Sequence, residues 1–336
     1  MINKNLQIIL KSRPKASISK QNFSLHQSEM PLPQAGEVLL KTLYLSLDPY
    51  MRGRMYGATS YAAPVKLGNV MIGETISEVI QSNNANFAVG QLVSSPHGWQ
   101  QYAISDGNDL VALPKYDVSP SAYLGILGLT GLTGYGALIR HGQPKAGETL
   151  VVSAANGGVG SIVAQTGRNL GCNVIGITGG EKKCKILETE LNIKALDYKD
   201  SNFSTNLKKL TPKGIDIFFD NVGGDIAFEA LNNMAVHGRF LVCGTISFDR
   251  NAPQDKSHDR FPNAFAQLLI KRLKVQGFIF DELIDMKEEY HQQAIKWLKD
   301  EKITFREHIV EGLDNAPEAF MSLFRGQNIG KLIVKV

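Results

Sequence analysis

Cysteine is scarce: Cys172, Cys184 and Cys243 are the three in 336 residues, widely spaced and free of any CxxC pairing. An odd, scattered set excludes a disulfide framework and a metal knuckle, so buried or inert thiols are expected. Long apolar runs are lacking as well. Leu6–Leu10 is the only apolar stretch near the start, shorter than a signal-peptide core, and no later run approaches the ~20 residues that span a bilayer. Charge of one sign is never massed: 36 basic and 32 acidic residues are interleaved, and no block of five like charges occurs. The formal charge of +4 is therefore spread thinly, which argues against a dedicated nucleic-acid or membrane surface. The cytoplasm is the expected compartment. The seven histidines stand singly, with no HxxxH or Cys/His cluster, so no zinc site is expected.

What is there is ordinary globular material in quantity. The length exceeds the ~250 to 300 residues at which one core stops growing, which predicts two lobes. Apolar residues make up 43% and charged residues 20%, and the 32 glycines fall in short groups between apolar runs, as tight turns require. The first third reads as β-rich, with strands at Glu37–Leu43, Gly73–Ile80 and Gln91–Ser95 between Pro, Gly and Asn turns. A helical stretch of small residues covers Ser119–Leu138. From Glu148 onward strands and helices alternate: strands are expected at Thr149–Ser153, Asn173–Thr178, Ala195–Tyr198, Ile215–Asp220, Arg239–Gly244 and Lys274–Phe280. Six strands with helical connections are what a doubly wound parallel sheet needs. A long helix over Asp285–Lys302 and a terminal strand at Lys331–Val336 follow, with no internal repeat or low-complexity tract.

The strand Leu150–Val152 leads into Ser153-Ala154-Ala155-Asn156-Gly157-Gly158-Val159-Gly160 and then a helical run from Ser161 to Leu170. This is a variant of the dinucleotide fingerprint in which Ala154 stands for the first glycine. A lone glycine motif says little, but a buried strand before it and a helix after it aim the unpaired N–H groups and the positive dipole end at a pyrophosphate. At the end of the second strand, where an NAD site carries a ribose-binding acid, the chain reads Thr178-Gly179-Gly180-Glu181-Lys182-Lys183. Small residues leave room for a 2′-phosphate, and the two lysines supply positive charge, so NADPH is the expected cofactor. Glu181 is the competing ribose-binding acid, and the plainer alternative for the lysines is the decoration of a helix start.

A β-rich lobe before a Rossmann half suggests the medium-chain dehydrogenase/reductase arrangement. Where its zinc-using members carry Cys and then Gly-His-Glu, this chain has Ser46-Leu47-Asp48-Pro49-Tyr50-Met51-Arg52 and Ile72-Gly73-Glu74. Seven ordered stretches sharpen the likeness: Leu45–Gly53, Gly128–Tyr135, Ala154–Ser161, Asp220–Gly224, Cys243–Ser247, Gln276–Phe278 and Gln327–Lys331. Together they resemble the zinc-independent leukotriene B4 dehydrogenase/prostaglandin reductase branch of that superfamily, over nearly the whole chain. The resemblance implies a GroES-like β-barrel catalytic domain over 1–127, a Rossmann NADPH-binding domain over 128–302, and a C-terminal segment, 303–336, that completes the first domain. It implies a cofactor trough between the lobes, with Asn156 and Gly157 in the phosphate turn and Thr133, Val159 and Gly160 at the nicotinamide or pyrophosphate. Gly180, Lys183 and Tyr198 would face the 2′-phosphate, and Asn221 and Asn328 the ribose or amide groups. Cys243, Gly244, Thr245, Ile246 and Phe278 would wall the nicotinamide. For Phe278, isolated on a buried strand, a plain core role is the commoner alternative.

The branch reduces the carbon–carbon double bond of α,β-unsaturated ketones and aldehydes, with hydride going to the β-carbon and no metal. Such chemistry needs positioning and a donor near the carbonyl oxygen. Tyr50 is the candidate donor, because a phenol can hydrogen-bond an enolate oxygen without ionising; a structural Tyr in the Asp-Pro-Tyr turn is the equal alternative. Arg52 is read as fixing that loop or the carbonyl. Where relatives continue with Tyr-Asn, this chain has Ser247-Phe248-Asp249-Arg250-Asn251, which puts a donor there in question. Two other functions stay open, an NADPH quinone reductase of the same superfamily and a non-enzymatic NADPH-sensing or RNA-binding protein. A small unsaturated carbonyl compound is the expected partner, and a homodimer the family expectation.

Overall fold

A computed structural model describes residues 4–15, 17–57, 61–248 and 260–336. The chain folds as two compact units, Met1–Leu124 with Glu307–Val336, and Gly125–Arg306. The boundaries lie three to four residues from those expected (127/128 and 302/303), and hydrogen bonds explain why. The carbonyls of Gly125, Ile126 and Leu127 are taken up by Thr130, Tyr290 and His291, and Thr304 is bonded to Gln165. Both linkers thereby belong to the second unit.

The first unit begins with an antiparallel hairpin, β1 (Lys4–Leu10) and β2 (Phe23–Glu29), in register Ile8 opposite Leu25. Then come β3 (Val38–Ser46), the short helix α1 (Tyr50–Met55), β4 (Thr75–Ser82), β5 (Leu92–Ser95), β6 (Tyr102–Ser105) and β7 (Val111–Ala112). In β4 both faces are covered at the start, where Thr75, Ile76 and Ser77 are buried in succession, while Gln81 near the far end is exposed. The core is built around Trp99, fully buried, stacked on Phe23 at 5.5 Å between centroids and met edge-on by Phe320 at 5.6 Å. Such pairs add ~0.5–1.5 kcal/mol each beyond area burial.

The second unit carries the alternating pattern. Its elements are α2 (Leu129–Ala137), β8 (Thr149–Ser153), α3 (Gly158–Asn169), β9 (Asn173–Thr178), α4 (Glu181–Thr189), β10 (Lys194–Asp197), α5 (Phe203–Leu210), β11 (Ile215–Asp220), α6 (Gly224–Asn232), β12 (Met234–Val242), α7 (Phe261–Lys271), β13 (Lys274–Gly277) and α8 (Lys287–Lys299). The strands form one parallel sheet in the order β10-β9-β8-β11-β12-β13, the doubly wound order of a Rossmann fold. Val151, Ile175, Ile177, Phe218 and Phe240 fill one core with Phe203, Leu207 and Ile226 from the helices. Strand β12 starts at Met234, earlier than the expected Arg239, because His237 takes φ +64° and the register jumps between Ile215 and Ile217. The expected helix over Asp285–Lys302 is a 3-10 turn, Phe280–Met286, followed by α8.

The chain then returns to the first unit as β14 (Glu307–Glu311), α9 (Ala316–Phe324) and β15 (Lys331–Lys335). Strand β14 runs parallel to β15, and β15 antiparallel to β3, so the seven-stranded sheet reads β14-β15-β3-β4-β5-β7 with β6 also on β3. The terminal strand therefore completes the barrel-like first unit and not the Rossmann sheet. Among the described residues no helix is long and apolar enough to cross a membrane.

Candidate cofactor site and the Tyr50 loop

The strand order makes β8 and β11 neighbours from which the chain winds in opposite directions. In such sheets dinucleotides bind outside the carboxyl ends of those strands, and Asn156, Gly157, Val159, Gly160 and Asn221 of the expected cofactor residues follow them directly. Between β8 and α3 the backbone turns through Ala154 at φ +50°. That is the left-handed conformation for which the fingerprint keeps a glycine, and an L-residue adopts it at a cost of ~1–2 kcal/mol. Gly160 is demanded by space: a Cβ there would lie 2.4 Å from the Ala154 carbonyl oxygen. The first bond of α3 runs from Ser161 N to Gly157 O at 3.0 Å, so the N–H groups of Gly158, Val159 and Gly160 have no partner within the helix. Asn156 is buried, its Nδ2 donating to the Lys183 carbonyl at 3.2 Å. Its Oδ1 is buried without a partner, an acceptor waiting for a donor. Thr133, also buried, donates to Leu129 O at 2.6 Å within α2.

The end of β9 builds a second corner. Gly180 takes φ +90°, and its N–H donates to Asp197 Oδ1 at 3.0 Å, which also accepts from Lys199 N at 2.9 Å. Gly179 lies against the Tyr198 ring, where a Cβ would come within 2.7 Å of it. Lys183 is half-buried, and burial first, then the charge of Lys199, lower its ammonium below the ordinary lysine value. The positive charge of Lys183 and Lys199 at this corner suits an anion such as a 2′-phosphate. The buried acceptor of Asn156, the free helix N-terminus and this lysine pair fit NADPH. Lys199, which sequence reasoning did not name, follows Tyr198 at the exit of β10.

At the ends of β11 and β12 a hydrogen-bonded knot holds the loops expected to wall the nicotinamide. Asp220, 2% exposed, accepts from Ser153 Oγ at 2.9 Å and from the N–H groups of Val222 and Gly223 at 3.0–3.1 Å. Asn221 donates through its N and Nδ2 to Ser153 Oγ and O, both at 2.8 Å. Cys243 and Gly244 donate their N–H groups to Asp220 O, and Phe248 its own to Thr245 O. Thr245 is exposed and Ile246 half-buried. Burial pushes the Cys243 thiol up to about 12. Phe278 stacks on His141 at 5.6 Å and meets Phe219 edge-on at 6.0 Å. Burial holds the His141 imidazole below its ordinary value. The departure from the relatives at Asp249-Arg250-Asn251 lies outside the described residues.

Tyr50 and Asn328 belong to the first unit. Asn328 Nδ2 caps the Gly330 carbonyl at 2.9 Å, just before β15. Tyr50 opens α1, half-buried beside Met51 and Met55. Burial, and then the carboxylates of Asp48 and Glu74, push its phenol above the ordinary tyrosine value, against a weaker opposite pull from Arg54. The loop before it is fastened by a buried ion pair that sequence reasoning missed: Lys331 Nζ binds Asp48 Oδ1 and Leu47 O, and Ser46 Oγ donates to Asp48 Oδ2. The Arg52 guanidinium lies over the Phe324 ring at 4.4 Å. Among the described residues no three His, Cys, Asp or Glu side chains are grouped to hold a metal ion.

A doubly wound sheet with a phosphate turn and a lysine-lined corner, joined to a barrel-like unit closed by the C-terminal strand, defines a two-domain, nucleotide-dependent oxidoreductase. Family models agree: residues 6–113 match the N-terminal domain of oxidoreductase, and residues 158–300 match zinc-binding dehydrogenase. The chain is 42% identical to the NADPH-dependent curcumin reductase of Escherichia coli (strain K12), over 99% of this chain and 97% of that one. It is 38% identical to prostaglandin reductase 1 of Bos taurus, over 94% of each. The crystal structure of CurA from Vibrio vulnificus in complex with NADPH superposes with a TM-score of 0.94, at 46% identity and covering 98% of this chain and 99% of that one. The chain belongs to the medium-chain dehydrogenase/reductase family, in the branch of the curcumin and prostaglandin reductases.

Proposed function

We propose that the chain is an NADPH-dependent reductase of the carbon–carbon double bond of α,β-unsaturated ketones and aldehydes, and that Tyr50 is the donor to the carbonyl oxygen. When bound, NADPH supplies a hydride to the β-carbon. What supports the donor assignment is the place of Tyr50, half-buried at the start of α1 with no side-chain hydrogen bond among the described residues, where burial and the Asp48 and Glu74 carboxylates also raise its phenol above the ordinary tyrosine value. A neutral O–H suits a charge spread over an enolate, because it stabilises the oxygen without itself becoming an anion. The turn at Ala154–Gly160 and the Lys183–Lys199 corner hold the phosphates, and the loops at Asn221 and Gly244–Ile246 hold the nicotinamide half.

The test is product analysis with 4-deuterated NADPH and a simple enone. Deuterium on the β-carbon of a saturated ketone, with the α-hydrogen drawn from solvent, is the expected result; an allylic alcohol as main product would refute the reading. Tyr50→Phe should lower kcat with NADPH affinity unchanged. An unaffected variant removes Tyr50 alone from the mechanism. Quinones in the same panel should turn over more slowly than enones.

We read the enzyme as a cytoplasmic homodimer. Three unpaired cysteines suit a reducing compartment. Strand β13 ends the described sheet with all four residues exposed, and α7 beside it bares Phe261, Phe265, Leu269 and Ile270. An open strand edge flanked by apolar surface is a surface that a second copy covers isologously.

A further inference from the structure

Asp220 is a buried carboxylate that the reaction does not use, in a motif from which sequence reasoning took only Asn221. It is the last residue of β11, and Ser153 is the last residue of β8, so the two stand on either side of the point where the winding of the sheet reverses. Two loops and the end of β8 meet at this one residue. Its carboxylate collects the Val222 and Gly223 N–H groups and the Ser153 hydroxyl. Its backbone carbonyl collects the N–H groups of Cys243, at 2.8 Å, and Gly244, at 3.1 Å, from the end of β12. Ser153 relays the bond to Asn221 N, and its carbonyl fixes the Asn221 amide.

The residue type follows from the donors. The turn Asn221–Gly224 is tight, with Gly223 at φ +76° and Gly224 at φ +62°, and it points successive N–H groups at one spot. A carboxylate accepts at both oxygens and offers no donor of its own; an asparagine would set an NH2 against one of those N–H groups. The turn is also tied onward to the β12 loop, Ser247 N and Oγ both donating to Val222 O, at 3.0 and 2.6 Å. Asn221, Gly223, Gly244 and Ser247 thus form one hydrogen-bonded body whose common anchor is Asp220. Burial raises this carboxylate above the ordinary range, and the donated bonds from Val222, Gly223 and Ser153 offset part of that rise.

We propose that Asp220 is a positioning residue for the nicotinamide half of the cofactor: it sets Asn221 and the Cys243–Ser247 loop without touching the cofactor itself. The proposal rests on the reading above that those loops hold the nicotinamide half. The adenosine corner at Gly179–Lys183 and Tyr198 shares none of these hydrogen bonds, so the two halves of the cofactor separate the effect from general loss of structure.

The experiment measures the dissociation constants of NADPH and of adenosine 2′,5′-bisphosphate, which carries only the adenosine half, by calorimetry on the full chain. Asp220→Ala is expected to weaken NADPH at least tenfold while the bisphosphate stays within twofold. Asp220→Asn should fall between it and the parent. Ser153→Ala removes the relay without leaving a charge unpaired, and should weaken NADPH in the same selective way; it carries the test if Asp220→Ala does not fold. Equal losses for both ligands, or no loss in either variant, would overturn the proposal. Asn221→Ala distinguishes the reading beneath it. NADPH weakened by Asn221→Ala but not by Ser153→Ala or Asp220→Asn sinks the role of Asp220, and no effect of Asn221→Ala sinks the placement of the nicotinamide.

Discussion

Lys331→Met makes the sharpest demand on the structure. Lys331 and Asp48 are each about 5% exposed, and their side chains contact directly, with the Leu47 carbonyl and the Ser46 hydroxyl completing the set. Both charges are almost wholly withdrawn from water. Methionine keeps most of the aliphatic volume but leaves the Asp48 carboxylate with a single hydroxyl donor. Breaking one side of a buried pair costs ~3–5 kcal/mol, whereas replacing both partners by neutral groups is often close to neutral. Lys331→Met should therefore destabilise the first unit by about 3–5 kcal/mol, and adding Asp48→Asn should recover most of that loss. The two tryptophans make the assay specific: Trp99 is fully buried in the first unit and Trp297 lies in α8 of the second. In a Trp297→Phe background, urea titration followed by fluorescence reports the Trp99 core alone. Additive losses in the double variant, or a loss below ~1 kcal/mol in Lys331→Met, would show that the pair behaves as a solvated surface contact, and the reasoning would fail.

Two further predictions concern binding. Lys183→Ala removes one charge-assisted contact worth ~1.5–3 kcal/mol and should weaken NADPH about 10- to 150-fold while NADH changes little, as titration of cofactor fluorescence will show; equal losses for both cofactors would make Lys183 structural. Val275→Lys, on the exposed edge strand β13, should convert the proposed dimer to monomers in sedimentation velocity without altering NADPH affinity, and an unchanged sedimentation coefficient would place the interface elsewhere.

The Rossmann unit was legible because its signals are local. Buried strands such as Leu150–Ser153 are continuous apolar runs, and the turn after them must be small, so four of the six strands begin at the residue the pattern indicates. Where a backbone irregularity intrudes, the pattern misleads: His237 at φ +64° lets β12 begin five residues early, among residues that carry no alternation. The hairpin β1–β2 escaped because β2 exposes Leu25 and His26 in succession and gives no clean period. What the sequence could not disclose were contacts between distant residues. Lys331 and Asp48 are separated by 283 positions, and nothing near either marks it as buried. Lys199 and Asp220 sat in view, one beside a named tyrosine and one beside a named asparagine, but their roles depend on which strand ends meet. A motif marks residues by type and spacing, whereas a supporting residue such as Lys199 or Asp220 is marked only by the strand ends that meet beside it.

A soft electrophile as substrate sets a requirement on the rest of the molecule, since a conjugated enone alkylates thiolates as well as accepting hydride. All three cysteines are held back from the thiolate. Burial pushes Cys172 up to about 11 and Cys243 up to about 12, and Cys184 is raised as well. At neutral pH such values leave Cys172 and Cys243 ionised in fewer than roughly one molecule in a thousand, where an ordinary thiol of pKa ~8.5 is ionised in a few per cent. The same physics acts on Tyr50, where burial and two carboxylates keep a proton in place. Burial thus acts alike on the three thiols and on the hydroxyl proposed to assist the reduction, favouring the protonated form of each.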